Sequence, residues 1–216
     1  MKAVAHQKPL PNVDLPEHGL GKPADQRRQP QTRARPVNLL SAALASLLLS
    51  SVAQAADFEL TSKTFEPGAA IRAEHYWNNF GCSGANIAPD LAWRNAPVGT
   101  RSFALTFYDK DAPTGSGFWH WVAYDIPATT AGLPGGANGG ALPAGAVEGN
   151  TDLGKPGFFG PCPPAGRKHN YVYTVHALKV DKLPVDRSAS PALVGFFLWQ
   201  NTLGKATLNL VAGPRQ

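Results

Sequence analysis

Hydrophobic and polar residues alternate along short segments of this chain, which is the pattern expected of strands with one buried face. Alternation, or enrichment in β-branched and aromatic residues, predicts strands at 57–62, 70–77, 91–93, 102–108, 122–126, 171–180 and 206–211. Turn-forming glycine, proline and asparagine residues separate these segments. Short strands at this spacing indicate a mainly β fold, a sandwich or a barrel, rather than βαβ units.

One helix is predicted near the C-terminus. Ser190 is a favourable N-cap and Pro191 suits the first helical position. The apolar run 192–203 follows, and Gly204 is expected to end the helix. The aromatic residues of this run recur at helical spacing and are predicted to belong to the core: Phe196, Phe197 and Trp199.

Most residues of segment 129–150 are glycine, alanine or other small types, and Pro134 and Pro143 lie within it. Such a composition does not build a core, so we predict a long irregular excursion. It is either a lid or an exposed insertion.

The first 55 residues predict an export signal. Residues 1–36 are polar with arginines near their end, and the apolar run 37–50 is too short to span a bilayer comfortably. The run is followed by Ala53-Gln54-Ala55, the small-x-small pattern of a cleavage site. We therefore predict cleavage after Ala55, one domain over 56–216, no transmembrane segment in the mature chain, and a periplasmic or secreted location. The alternative is an uncleaved anchor.

Removing that leader changes the charge of the protein. The whole chain has 20 Lys and Arg against 15 Asp and Glu, and the leader holds seven and three of them. The mature part therefore has 13 against 12, a net charge of +1. A nucleic-acid partner is disfavoured, because such proteins carry a strong basic surface.

Both cysteines, Cys82 and Cys162, lie in the predicted mature part. An even number in an oxidising compartment favours one disulfide, with two buried thiols as the alternative. A disulfide closing a loop of this size stabilises a fold by about 4 kcal/mol in the chain-entropy description. A zinc site is disfavoured because neither cysteine has a Cys-x-x-Cys partner.

The first stretch with candidate chemistry is 109–121, which connects two predicted strands. Asp109 and Asp111 lie two residues apart, on the same side of an extended backbone. Pro113 and two glycines favour a tight reversal before His120. An Asx-turn that caps its own backbone is the alternative role for Asp111.

The second stretch is 157–171, a loop rich in proline and glycine that leads to His169 at the entrance of a strand. Imidazolium groups and loop N–H groups suit a small anion such as phosphate or carboxylate. Aspartates beside the histidines are expected to raise the histidine pKa values. His75 and His176 are predicted to be structural.

These stretches read Asp-x-Asp-Ala-Pro followed by Trp-His, and then Gly-Pro-x-Pro-Pro-x-Gly-x-x-His-x-Tyr. Together they resemble the phosphatidylethanolamine-binding protein family, and most closely its bacterial Raf-kinase-inhibitor-like branch. Segment 82–93 is similar to the same branch, and the resemblance covers roughly 58–203. It implies an antiparallel β-sandwich with a C-terminal helix.

The resemblance also implies a shallow pocket that accepts phosphate-type head groups. The matched ligand-binding positions are Asp109, Asp111, Pro113, Trp119, His120, His169 and Tyr171. Two positions depart from the family pattern, since Lys110 replaces a proline and Asn170 replaces an arginine. The loss of that arginine is expected to weaken anion binding, and the nearby Arg167 and Lys168 are expected to replace it in part.

We predict an exported, non-catalytic binding or regulatory protein without a cofactor, whose ligand is a small anion or a phospholipid head group. The alternative is a hydrolase that uses His120 or His169 as acid or base, or binds a metal with both and with Asp109 or Asp111. The sequence contains no Gly-x-Ser-x-Gly, P-loop or His-Glu-x-x-His motif, which disfavours the enzyme. A homodimer remains open.

Overall fold

The computed structural model describes residues 56–215, so the predicted signal peptide, residues 1–55, lies outside the described residues. The secondary structure consists of short and long strands, one 3₁₀ turn and one α-helix. The strands are β1 (Glu59–Thr61), β2 (Ile87–Ala88), β3 (Leu91–Arg94), β4 (Ser102–Asp109), β5 (Phe118–Pro127), β6 (Gly132–Leu133), β7 (Gly136–Ala137), β8 (Val147–Glu148), β9 (His169–Leu178) and β10 (Thr202–Ala212). The 3₁₀ turn spans Ala73–His75 and α1 spans Pro191–Asn201.

Two sheets pack face to face. One has five strands in the order β10-β9-β4-β5-β8, the other three in the order β1-β3-β6, and β2 pairs with β7 separately. All these pairings are antiparallel. A core that includes Leu60, Trp93, Leu105, Phe107 and Val175 lies between the two sheets. The predicted antiparallel β-sandwich is confirmed.

Helix α1 covers the outer face of the five-stranded sheet. Its start is as predicted, because the Ser190 side chain accepts a hydrogen bond from the Leu193 N–H and Pro191 occupies the first turn. Val194 and Leu198 of the helix join a second core cluster with Val122 of β5. β4 is therefore buried on both faces, which holds its end in a fixed position.

The end of the helix differs from the prediction. The helix ends at Asn201, because Thr202 has extended backbone angles and its hydroxyl donates to the Leu198 carbonyl at 2.7 Å. Gly204 therefore lies inside β10 rather than at a helix cap. A Cβ at this glycine would be 2.8 Å from Cγ of Pro97, so close packing explains the glycine.

The prediction that all three helix aromatics belong to the core was wrong. Phe196 and Trp199 are 50% and 77% exposed, and only Phe197 packs against the second cluster. A helix lying on one sheet buries a single stripe, here Pro191, Val194 and Leu198. Phe196 and Trp199 fall outside that stripe.

The predicted strand at 70–77 was also wrong. Ile71 donates one backbone hydrogen bond to Val211, but the chain then turns into the 3₁₀ segment at Ala73–His75. Segment 129–150 is more ordered than predicted, because β6, β7 and β8 lie within it and each joins a different sheet. These strands are only two residues long, which is too short to show the alternation of apolar and polar residues that predicts a strand.

Candidate ligand-binding site

Three neighbouring strands bring the candidate residues to one edge of the five-stranded sheet. Asp109 is the last residue of β4 and lies opposite Phe118 of β5 and Tyr171 of β9. Because these pairs are antiparallel, the end of β4 and the beginnings of β5 and β9 meet at the same edge. His120 and His169 are therefore close to Asp109 although they lie far apart in the sequence.

Asp109 and His169 form a buried pair, with Nδ1 of the imidazole 2.8 Å from Oδ2 of the carboxylate. The other carboxylate oxygen of Asp109 accepts the N–H of Asp111 at 2.9 Å. This second bond is an Asx-turn, so Asp109 has the local capping geometry that was an alternative for Asp111. Both oxygens of Asp109 are engaged, which orients the His169 ring.

Asp111 fastens the loop to the neighbouring strand. Its Oδ2 accepts hydrogen bonds from the backbone N–H and the side-chain amide of Asn170, at 2.6 and 2.8 Å. These bonds hold the pKa of the Asp111 carboxyl below its usual value. Asn170 thus has a structural partner at the position where the family usually has arginine.

His120 is buried and electrically neutral. Its Nδ1 lies 2.9 Å from the Phe159 carbonyl, so Nδ1 carries the proton of the neutral ring and Nε2 is an acceptor. Burial lowers the pKa of His120 to about 4, although Asp109 and the Phe159 carbonyl act in the opposite direction. The expected rise of this histidine pKa was therefore wrong, because the loss of hydration outweighs the nearby carboxylate.

Tyr171 and Trp119 occupy different places from the histidines. Tyr171 is 1% exposed, and its hydroxyl has no hydrogen-bond partner among the described residues. Burial, followed by the nearby Asp109, raises the pKa of this hydroxyl well above its ordinary value. Trp119 packs against Tyr108 at 4.5 Å between ring centroids and against the second core cluster under α1. Since neighbouring strand residues point to opposite faces, Trp119 and His120 cannot both face the cavity.

A cavity of about 170 Å³ lies at this edge. It is lined by Trp77, Phe80, Asp109, Ala112, Pro113, Thr114, Phe118, His120, Leu153, Phe159, Cys162, Pro164 and His169. Four of the sequence-predicted positions line it: Asp109, Pro113, His120 and His169. The other three, Asp111, Trp119 and Tyr171, do not line the cavity.

The aromatic walls were missed by the sequence reasoning. Trp77, Phe80, Phe118 and Phe159 line the cavity, but an apolar side chain carries no chemical signature that marks it as part of a site. Trp77 contacts Phe80 and Phe159 edge-on, at 4.9 and 5.3 Å between ring centroids. These contacts arrange the rings as a continuous apolar wall opposite the polar groups.

Asn86 positions the loop that contacts His120, a role that no sequence motif indicates. Its side-chain amide donates to the Phe158 carbonyl at 3.0 Å and its Oδ1 accepts the Gly160 N–H at 2.7 Å. The Phe159 carbonyl between these two bonds is the partner of His120. Gly160 must be glycine, since a Cβ there would be 2.1 Å from the His75 carbonyl oxygen.

The predicted disulfide is present. Cys82 and Cys162 are bonded, with 5.9 Å between their Cα atoms. Cys162 itself lines the cavity, so the bond ties loop 79–86 to the wall of the site. The alternative of two buried thiols is thereby excluded for this structure.

Within 56–215, no three His, Cys, Asp or Glu side chains are grouped in a way that holds a metal ion. Over the same range, no helix has both the length and the apolar character needed to cross a membrane.

Fold and site together define a β-sandwich protein with a small acid–imidazole cavity at one sheet edge. The family described as phosphatidylethanolamine-binding protein matches residues 61–212. The chain belongs to this family.

Several bacterial proteins are similar to the chain. The UPF0098 protein YbcL of Escherichia coli (strain K12) is 47% identical over 177 residues, covering 80% of this chain and 96% of YbcL. The crystal structure of E. coli YbcL, described as a new member of the mammalian PEBP family, matches with a TM-score of 0.71 and 46% identity, covering 74% of this chain and 100% of that one. LppC of Mycobacterium tuberculosis (strain H37Rv), named as a lipoprotein, is 37% identical over 122 residues, 56% of this chain and 55% of LppC.

Proposed function

We propose that the chain is an exported, non-catalytic binding or regulatory protein whose cavity takes a phosphate- or carboxylate-type group. The group belongs to a small molecule, a phospholipid head group or a peptide. The observation that carries the proposal is the pair of buried imidazoles at one cavity, each fixed through Nδ1 by a different partner. With Nδ1 occupied, the Nε2 atoms of His120 and His169 are left for a ligand.

The neutral state of His120 determines how an acidic group binds. A neutral imidazole with a proton on Nδ1 accepts a hydrogen bond at Nε2, so a group that can donate a hydrogen binds better beside His120 than a carboxylate, which cannot. A phosphate monoester that keeps one proton is such a donor, and its second pKa is about 6. Repulsion from Asp109 is reduced because both of its carboxylate oxygens already accept hydrogen bonds.

The size and walls of the cavity support a head group rather than a whole lipid. A volume of about 170 Å³ is below the roughly 300–1,000 Å³ of sites for drug-sized ligands. The aromatic wall of Trp77, Phe80, Phe118 and Phe159 shields the bound group from water, which strengthens its hydrogen bonds. The remainder of a larger ligand extends outside the cavity.

The lining residues favour binding over hydrolysis. His169 and Asp109 form an oriented pair of the kind that activates a nucleophile. However, the hydroxyl in the cavity wall, that of Thr114, donates its proton to the Gly117 carbonyl. The sulfur in the wall, that of Cys162, is in the disulfide. The hydrolase alternative therefore has no activated nucleophile among the described residues that line the cavity.

Export is proposed from the leader pattern and from the compartment that a disulfide needs. The segment 37–55 has the apolar run and the Ala-Gln-Ala ending of a cleaved signal. A Cys82–Cys162 bond persists in the periplasm or outside the cell, where thiols are oxidised. The lipoprotein name of LppC is compatible with an exported relative.

Calorimetric titration with phosphoethanolamine and with acetate tests this function. We expect phosphoethanolamine to bind more weakly as pH rises from 6 to 8, since the phosphate loses the proton that it donates to His120. Acetate keeps a constant charge over this range and serves as the control. Replacing His120→Asn, which keeps a donor for the Phe159 carbonyl, should cost about 1.5–3 kcal/mol of phosphate binding, roughly 10- to 150-fold. Equal weakening of both probes with pH, or unchanged affinity in the variant, would contradict the proposal.

A further inference from the structure

An open groove of about 480 Å³ lies beside the cavity. Pro113, Pro164 and His169 line both the cavity and the groove, so the two spaces adjoin. The groove adds Arg167 and Lys168 to the lining, two cationic side chains that the cavity itself lacks. The two compartments differ in charge, although they share a wall.

The inner compartment offers hydrogen bonds but has no arginine or lysine among its lining residues. His120 is neutral because burial lowers its pKa to about 4, and Asp109 is an acid. The groove has the opposite character. Its one carboxylate, Asp111, accepts two hydrogen bonds from Asn170. Among the described residues, neither Arg167 nor Lys168 makes a salt bridge.

The turn that carries the two cations is held in place by the C-terminal segment. The Arg167 N–H donates to the Pro164 carbonyl at 3.0 Å, which closes the turn. The Gly166 N–H donates to the Arg215 carbonyl at 2.9 Å, and the Arg215 guanidinium donates back to the Pro163 carbonyl at 2.5 Å. A turn fixed from both sides loses little conformational freedom when an anion binds to it.

We propose that cavity and groove form a two-part site for a small ligand with two acidic groups. The inner group, as in the proposed function on which this inference rests, occupies the cavity beside His120 and His169. The second anionic group lies in the groove and pairs with Arg167 and Lys168. The ligand class is therefore a phosphorylated small molecule that carries a second phosphate or carboxylate a short distance away, rather than a simple monoester.

O-phosphoserine and phosphoethanolamine test this directly, because they differ by one carboxylate. Calorimetry at pH 7 and 150 mM salt compares both probes on three proteins. These are the unchanged chain, the double variant R167Q/K168Q, and the control K63Q/K205Q, which removes two lysine charges from exposed positions away from the groove.

We expect the unchanged chain to bind phosphoserine about 5- to 10-fold more tightly than phosphoethanolamine. This is the gain expected when the extra carboxylate forms exposed ion pairs with Arg167 and Lys168. R167Q/K168Q should lose this preference. Its affinity for phosphoethanolamine should change less than about threefold, because salt screens the phosphate in the cavity from the exposed charges of the groove. The control should keep the preference.

Equal affinities for both probes in the unchanged chain would overturn the two-part site, and so would a preference that persists in R167Q/K168Q. Both results leave phosphoethanolamine binding in the cavity intact. If neither probe binds, the proposed function itself fails and this inference fails with it. The two kinds of failure are therefore distinguishable.

Discussion

Burial of His120 makes the free energy of unfolding depend on pH, and the size of this dependence follows from the pKa shift. Burial sets its pKa at about 4 in the folded protein, against 6.5 for an ordinary histidine. Between these values the unfolded chain takes up a proton that the folded protein does not, so the free energy of unfolding falls as pH falls from 6.5 to 4. Above pH 6.5 both states are neutral and the contribution is fully present.

The magnitude follows from the size of the shift. The pKa of His120 is lowered from 6.5 to about 4. At about 1.4 kcal/mol per pKa unit, this shift lowers the free energy of unfolding by about 3 kcal/mol between pH 6.5 and pH 4. His176 is half-buried, and loss of hydration lowers its pKa to about 4 as well, so it adds a loss of up to a similar size. Domains of this size are stable by about 5–15 kcal/mol, so the two histidines together remove a large part of the stability in acid.

Urea unfolding followed by tryptophan fluorescence at several pH values between 7 and 4 measures this effect. The variant His120→Asn should lose about half of the histidine-dependent fall, because an asparagine amide replaces the Nδ1 donor to Phe159 and does not titrate. His176→Asn is the matched control at the other histidine whose pKa is lowered and should remove most of the remainder. A profile of His120→Asn parallel to that of the unchanged protein would refute the neutral buried state of His120.

Three further predictions concern the disulfide, the loop that holds His120, and export. Replacing both Cys82 and Cys162 by serine should lower the free energy of unfolding by about 4 kcal/mol, since the bond closes a sequence separation of 80 residues; an unchanged urea midpoint would contradict this. Asn86→Ala should cost about 2–4 kcal/mol and weaken phosphoethanolamine binding, because it leaves buried backbone groups at Phe158 and Gly160 unpaired. Asn95→Ala is its control, because Asn86 and Asn95 both have a positive φ, of 54° and 58°, and Asn95 is exposed. Equal losses of stability in both variants would assign the effect to backbone strain alone. N-terminal sequencing of the exported protein should begin at Ala56, and a soluble cytosolic protein that retains 37–55 would contradict cleavage.

The long elements and the site edge were predictable from sequence because their signals are local. Alternation in β4 and β9, and the Ser190-Pro191 start of α1, each depend on neighbouring residues only. The proline- and glycine-rich motifs likewise indicated where Asp109, His120 and His169 stand relative to strand ends.

The remaining features depend on contacts between distant segments. Burial of His120 depends on Phe159 and Tyr171, which lie on segments distant from it in the sequence. A local sequence pattern therefore could not predict that its pKa is lowered. Asn86 is a site-positioning residue only because segments 86 and 158–160 meet in the fold. The same limitation explains the helix aromatics, because spacing predicts a common face and leaves open whether another layer covers it.

The central claim is that the cavity binds an acidic group through the two histidines. A crystal structure of the protein with phosphoethanolamine at saturating concentration measures this most directly. We expect phosphate density inside the cavity, with one phosphate oxygen within hydrogen-bond distance of Nε2 of His120 and another near His169. A cavity that stays free of the probe, or phosphate bound only on another surface, would refute binding through the two histidines.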